Sequence, residues 1–271
     1  MDLFRTSKKQ RIIMLVFLIV CALIWIFPMY SAVSNSMKYG GIENYIHVLT
    51  EPINGVYFYR YLLNSLIIAA GSCFGICLIA SLAGFAFSKI KFKFSKAIYI
   101  ATLMCLAVPG TVLIVPLFYV LKSLHLYNTY AAVILPEIVL TLPFGVLMCK
   151  NYYDSIPKDL IESAGIDGAG GFQAYFHIFL PLSKPCLLNL SVLSIMWSLQ
   201  DFLLPTMFLT KEELATATVA INTFKGVYGT VGNQLGRYNA ALVLIAIPSI
   251  ILLILGQKYL ISGVTAGALK D

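Results

Sequence analysis

Long stretches without a charged residue alternate with short polar segments along the whole chain. Arg11 to Lys38 encloses 26 uncharged positions, Arg60 to Lys89 encloses 28, Lys96 to Lys122 encloses 25 and Arg237 to Lys258 encloses 20. Two further apolar stretches, 126–149 and 185–210, carry one acid each within them, Glu137 and Asp201. A helix needs about 20 apolar residues to cross the hydrocarbon core. In lipid, backbone groups are satisfied only in helices or closed barrels, and barrel strands alternate over ~10 residues. Runs this long and continuous therefore predict an all-α, polytopic membrane protein. The six transmembrane helices are expected at about 12–34, 62–87, 97–121, 129–149, 185–209 and 238–261, in one transmembrane domain spanning 1–271. Two longer loops, 150–184 and 210–237, lie on opposite sides.

Composition agrees. Of 271 residues, 59% are hydrophobic and only 11% are charged, with a mean hydropathy of +0.86. Soluble domains carry roughly 25% charged residues, so a water-soluble enzyme, a disulfide scaffold and a disordered chain are all excluded. The first span begins with a basic segment, as a signal peptide does, but its apolar run exceeds the ~7–15 residues of a signal core. It is expected to remain as a helix.

Basic residues fix the orientation. With the N-terminus inside, Arg5, Lys8, Lys9, Arg11, Lys89, Lys91, Lys93, Lys96, Lys150, Lys158, Lys184, Lys258 and Lys270 face the cytoplasm. Only Lys38, Arg60, Lys122, Lys211, Lys225 and Arg237 face outward. The positive-inside rule then puts both termini in the cytoplasm of a multi-pass cell-membrane protein. The net charge of +7 is spread over short juxtamembrane clusters, which fits a lipid surface and not nucleic acid.

Catalytic patterns are missing from the sequence. No glycine is followed directly by lysine, so there is no phosphate-binding loop. No HExxH or GxSxG occurs. Cys73 and Cys77 share a helix face, but no histidine or acid stands near to complete a metal site, and buried reduced thiols are the reading for all six cysteines. The chain is expected to be no enzyme and to hold no metal. Pro109/Pro116 and Pro136/Pro143 suggest bent helices around a path, since each proline removes a helix hydrogen bond. Gly71 and Gly75 form a GxxxG, whose default reading is close helix packing.

The loop 150–184 is neither a tight turn nor polar filler. Ser155 is expected to cap a helix, with Pro157 in its first turn. Leu160, Ile161 and Ala164 share one face by three-to-four spacing. Gly168, Gly170 and Gly171 permit a bend. A second short helix follows, with Phe172, Tyr175, Phe176 and Phe179 expected on one side, and Pro181 and Pro185 end it. A helix–bend–helix at the inner surface suits docking into a partner's groove. In the outer loop, 226–233 is expected to be flexible.

Glu162-Ser163-Ala164, Gly168, Ile178 and Leu180-Pro181 carry a recognisable spacing: EAA, three residues, Gly, nine residues, I-x-L-P. This resembles the EAA loop of ABC importer permeases, with Ser163 replacing the middle alanine. The surroundings (Leu126-Tyr127-Asn128-Thr129, Ile134-Leu135-Pro136, Leu142-Pro143-Phe144, Ile166-Asp167-Gly168-Ala169, Gln200-Asp201-Phe202 and Tyr259 to Lys270) are similar to binding-protein-dependent sugar permeases of the maltose-transporter type. Glu137 departs from that pattern, which is usually apolar or aromatic there.

The resemblance implies a type I importer permease fold forming half of a sugar path, beside a second homologous permease. Two ATPase subunits, which would hold the ATP and Mg, bind below; an extracellular solute-binding protein docks above. A coupling helix, 156–170, would contact an ATPase through Glu162, Ser163, Ala164, Asp167 and Gly168, backed by Ile178, Leu180 and Pro181. The outer loop would reach the binding protein through Gly226, Tyr228, Gly229, Thr230, Gly232 and Asn233. Glu137, Asn189, Trp197, Gln200 and Asp201 are the in-span candidates for the sugar path. A permease for another solute (a peptide, a polyamine or an anion) and a membrane enzyme or scaffold without transport stand as the alternatives.

Overall fold

The computed structural model describes residues 7–157, 159–166, 168–229 and 232–268, with only the backbone for 233 and 260–268. Among these residues helices dominate: α1 Lys8–Lys38, α2 Ile42–Thr50, α3 Phe58–Lys89, α4 Ser95–Met104, α5 Ile114–Ser123, α6 Ala131–Ser155 and α7 Asp159–Ile166. There follow α8 Gly171–Leu182, α9 Lys184–Gln200, α10 Leu203–Phe208, α11 Ala217–Tyr228 and α12 Gly232–Ala268. Helices α1, α3, α6 and most of α12 are each long and apolar enough to cross a membrane, and two bent pairs raise the count to as many as six.

One bent pair is α8 with α9, which meet at 73°, and two of the expected spans are broken. The helix expected over 97–121 breaks around Pro109, and its halves meet at 92°. Short 3₁₀ segments, Cys105–Ala107 and Gly110–Leu113, flank the proline. The helix expected over 185–209 ends at Gln200, because Asp201 turns its carboxylate onto the backbone N–H groups of Leu203 and Leu204, at 2.9 and 3.4 Å, and starts α10. α6 runs unbroken through Pro136 and Pro143.

The chain divides into two compact units. One takes in the described parts of 1–58 and 221–246, the other those of 59–220 and 247–271. In the first, α1 is apolar on every side and exposed along nearly its whole length, as a helix facing lipid is. The amphipathic helix α2, absent from the expected elements, follows it. Asn44 ties the two together, donating to Ser36 O at 2.8 Å and Tyr39 O at 2.6 Å.

The second unit packs on close contact between α3 and α6. A Cβ on Gly71 would come within 2.8 Å of Ile134 Cδ1, and one on Gly75 would run into Ile138 Cδ1. About two and a half turns further on, a Cβ on Gly84 would strike Cys149 and the Lys150 backbone. Small residues let the two backbones approach, as is usual between membrane helices. At the C-terminal ends of α3 and α6, Ser88 donates to Asp154 at 2.7 Å and Lys150 pairs with Asp154 at 2.6 Å.

Candidate functional site

The loop 150–184 holds a C-capped helix seated on an aromatic cluster. α7 buries Ala164, which is 5% exposed, and Ile161 packs on the core beneath it. The helix ends on a Schellman motif: Ala169 N–H donates to Ala164 O at 2.9 Å and Gly168 N–H to Gly165 O at 3.1 Å. Gly168 takes the left-handed position with φ +77°, which glycine adopts without steric cost. Ser155 does not cap α7. It is the last residue of α6, and its hydroxyl donates back to Tyr152 O at 2.6 Å.

Glu162 and Ser163 are exposed, and Ser163 donates to Asp159 O at 2.7 Å. Ile178 and Leu180 are half-buried against the core, while Pro181 is exposed. Asp167 lies outside the described residues. Glu162 also lines a groove of about 1120 Å³ shared with Lys91, Lys96, Tyr99 and Lys150. The aromatic row splits. Tyr175 and Phe179 are buried, whereas Phe172 is 76% exposed and Phe176 also faces out. A π-helical turn over Tyr175–Phe179 shifts the face that a regular 3.6-residue period predicts.

The anchor beneath this loop was not visible in the sequence. Phe85 of α3 lies 5.3 Å from the Tyr175 ring and 5.0 Å from Phe179. Lys89 donates to Ile156 O at 2.6 Å and sits 5.7 Å from the Phe179 ring. Buried hydroxyls form a directed chain from Tyr175 to Ser81, Tyr153 and Ser183, ending on Leu180 O. These residues are far apart in sequence and follow no period, so no local signal announces them.

A second site lies within the spans. A cavity of about 390 Å³ is lined by Glu137 of α6, by Ser194, Trp197, Ser198 and Gln200 of α9, and by Asp201. That volume falls within the ~300–1,000 Å³ of small-molecule clefts. Glu137 is 7% exposed, and neither of its carboxylate oxygens has a hydrogen-bond partner among the described residues. Trp197 meets Phe144 edge-on at 5.3 Å. Four of the five expected path residues thus share one cavity. Asn189 is buried elsewhere on α9 and does not line it.

The loop expected over 210–237 is mostly helical where it is described. Gly226 and Tyr228 lie in α11, and Gly229 ends it with φ +70°. Gly232, with φ +62°, opens α12. Tyr228 is 6% exposed and stacks on Phe224 at 6.2 Å, which in turn stacks on Phe58 at 5.9 Å. Burial pushes the Tyr228 phenol up from its ordinary range. Lys225, Gly226, Val227 and Gly232 are exposed. Thr230 and the Asn233 side chain lie outside the described residues.

Comparison with known proteins gives the same frame. The family of binding-protein-dependent transport system inner membrane components matches residues 75–266. The trehalose/maltose transport system permease protein of Thermococcus litoralis is 35% identical, over 98% of this chain and 99% of its own. The arabinooligosaccharides transport system permease protein of Bacillus subtilis is 28% identical, over 96% of each. Among solved structures, a chain of a bacterial ABC transporter that imports the acidic polysaccharide alginate superposes with a TM-score of 0.77 at 18% identity, covering 94% of this chain and 98% of that one. That likeness shows the fold.

Proposed function

The chain belongs to the family of binding-protein-dependent transport system inner membrane components, and from that premise we propose that it is the permease subunit forming half of the path of an ATP-driven sugar importer. Relatives similar along their whole length are named for transport of trehalose, maltose and arabino-oligosaccharides, which supports a sugar or oligosaccharide as its solute. The second half of the path is a homologous permease. Two ATPase subunits supply ATP and Mg chemistry, and an extracellular binding protein delivers the sugar. Both termini are cytoplasmic, as the basic residues favour.

One observation supports this reading: the short helix Asp159–Ile166 ends on the Gly168 turn and is seated on the core, so that it can act as a lever. Its root is pinned by Ala164 and by the Tyr175/Phe179 cluster. Its outer face offers Glu162, Ser163 and Ile166, the last 87% exposed. An apolar side chain held that far out on a capped helix suits a partner's cleft. When ATP closes the ATPase pair, the lever is carried with it. The π turn and the α8–α9 bend pass the displacement to α9, whose far end forms the cavity. Transport then needs two discrete packings of these helices. Gly226, Tyr228, Gly229, Thr230, Gly232 and Asn233 mark the face toward the binding protein, with Tyr228 acting from within as packing.

The test is co-purification from the native membrane together with sugar uptake. A second permease and an ATPase are expected to travel with the wild-type chain. E162K or G168P is expected to release the ATPase and abolish uptake. Normal uptake with either variant overturns the lever.

A further inference from the structure

Inside the cavity two acids stand without a base. Glu137 and Asp201 line it together with Trp197, Gln200, Thr141 and Ser194, and no Lys, Arg or His is among its described lining residues. Asp201 spends one oxygen on the backbone N–H groups of Leu203 and Leu204. Glu137 spends none. The Ser72 and Ser198 hydroxyls are close enough to act on its carboxylate, but neither reaches it with the distance and angle of a full hydrogen bond. A buried carboxylate left this way is costly unless something satisfies it. Ionisable groups are retained at membrane depth where they serve a solute path.

We propose that Glu137 is a solute-binding residue, and that the cavity takes a sugar whose hydroxyl or ammonium donors satisfy its carboxylate while rejecting acidic sugars. The reading rests on the sugar-importer function above. A ligand with donors completes the acceptors of Glu137 more fully than the Ser72 and Ser198 hydroxyls alone, because the side chains lining the cavity offer no charged donor. A carboxylated sugar would bring a third acid into a site already holding two, and like charges at close range disfavour one another. The half-exposed Trp197 ring adds an apolar wall on the same cavity.

The complete importer, purified in lipid nanodiscs without its binding protein, leaves the permease to select alone. Three trisaccharide probes, of glucose, glucosamine and glucuronate, are compared by equilibrium dialysis at millimolar concentration. The glucose or glucosamine probe is expected to bind at least tenfold more tightly than the glucuronate probe. Which of the two binds better tells whether hydroxyl or ammonium is the donor. E137L is expected to weaken that binding tenfold or more, with co-purifying partners as the check on folding. The isosteric E137Q is expected to narrow the discrimination against glucuronate. Equal or tighter glucuronate binding, or unchanged binding in both variants, overturns the inference and leaves the sugar reading standing. If no probe binds, the inference falls, and sugar uptake by intact cells tells whether the sugar reading falls with it.

Discussion

Tyr175 donates its phenol hydrogen to the Ser81 hydroxyl at 2.9 Å, across 94 positions of sequence. The bond fixes α8 to α3 beside the exposed helix α7. Ser81 also bonds Tyr153 at 2.8 Å, and Tyr153 donates to Ser183 at 3.1 Å. Every hydroxyl in this series is buried and paired, and such chains strengthen cooperatively in a low-dielectric interior.

Breaking that chain should loosen the lever without removing it. Y175F deletes one donor and leaves Ser81 short of a partner, a loss of about 1–3 kcal/mol. Uptake is expected to fall while Glu162 and Gly168 stay intact. Because Tyr175 and Ser81 share one network, Y175F and S81A should be clearly non-additive in a double-mutant cycle read by thermal denaturation of the purified complex. Additive losses would mean that the two hydroxyls act independently.

Gly168 tests backbone conformation alone. A Cβ there would meet nothing within 4 Å, yet φ is +77°. G168A should therefore cost about 1–2 kcal/mol through the left-handed backbone and not through a clash. Asn tolerates that conformation better than Ala. ATPase co-purification and uptake are expected to rank Gly above Asn and Asn above Ala. Equal behaviour of G168N and G168A would remove the conformational explanation.

The close approach of α3 and α6 can be graded. On Gly71, an added methyl meets the end of the Ile134 side chain, which can rotate away. On Gly84 it meets Cys149 and the Lys150 backbone, which cannot. Overpacking typically costs about 1–3 kcal/mol, so G84A is expected to lower the melting temperature more than G71A. The reverse order would show that α3 and α6 shift apart freely at their C-terminal ends.

Much of this was legible in the sequence, and the remainder was hidden for physical reasons. Charge-free runs located the apolar segments, because bilayer thickness sets a length that composition must meet. Gly168 stood out, because a motif spacing coincides with a helix terminus. The break at Pro109 was signalled, but proline reports a lost hydrogen bond and not the 92° angle that neighbours impose. Asp201 stood out as an acid, but the helix end that it makes was hidden inside an apolar run. Hydropathy averages over a window, while its two backbone bonds end the register locally. The Phe172 and Phe176 assignments failed because a single π turn rotates every later side chain. The Ser81–Tyr153–Ser183 series was invisible, since long-range pairing leaves no periodic trace.

Tyr228 supplies a prediction of opposite sign. Its ring stacks on Phe224, but its buried hydroxyl has no hydrogen-bond partner among the described residues. A buried phenol without a partner loses its water contacts and regains nothing. Y228F keeps the stacking and discards that loss, so the variant should be as stable as wild type or up to about 1 kcal/mol more stable. Y228A removes the ring and should cost about 3–5 kcal/mol, as large aromatic truncations do. If the ring acts only by packing, Y228F should also leave sugar delivery unchanged. Uptake driven by saturating binding protein, measured beside thermal denaturation of both variants, separates the cases. A Y228F chain that folds normally yet loses delivery would assign the hydroxyl a direct contact with the binding protein and overturn the packing role.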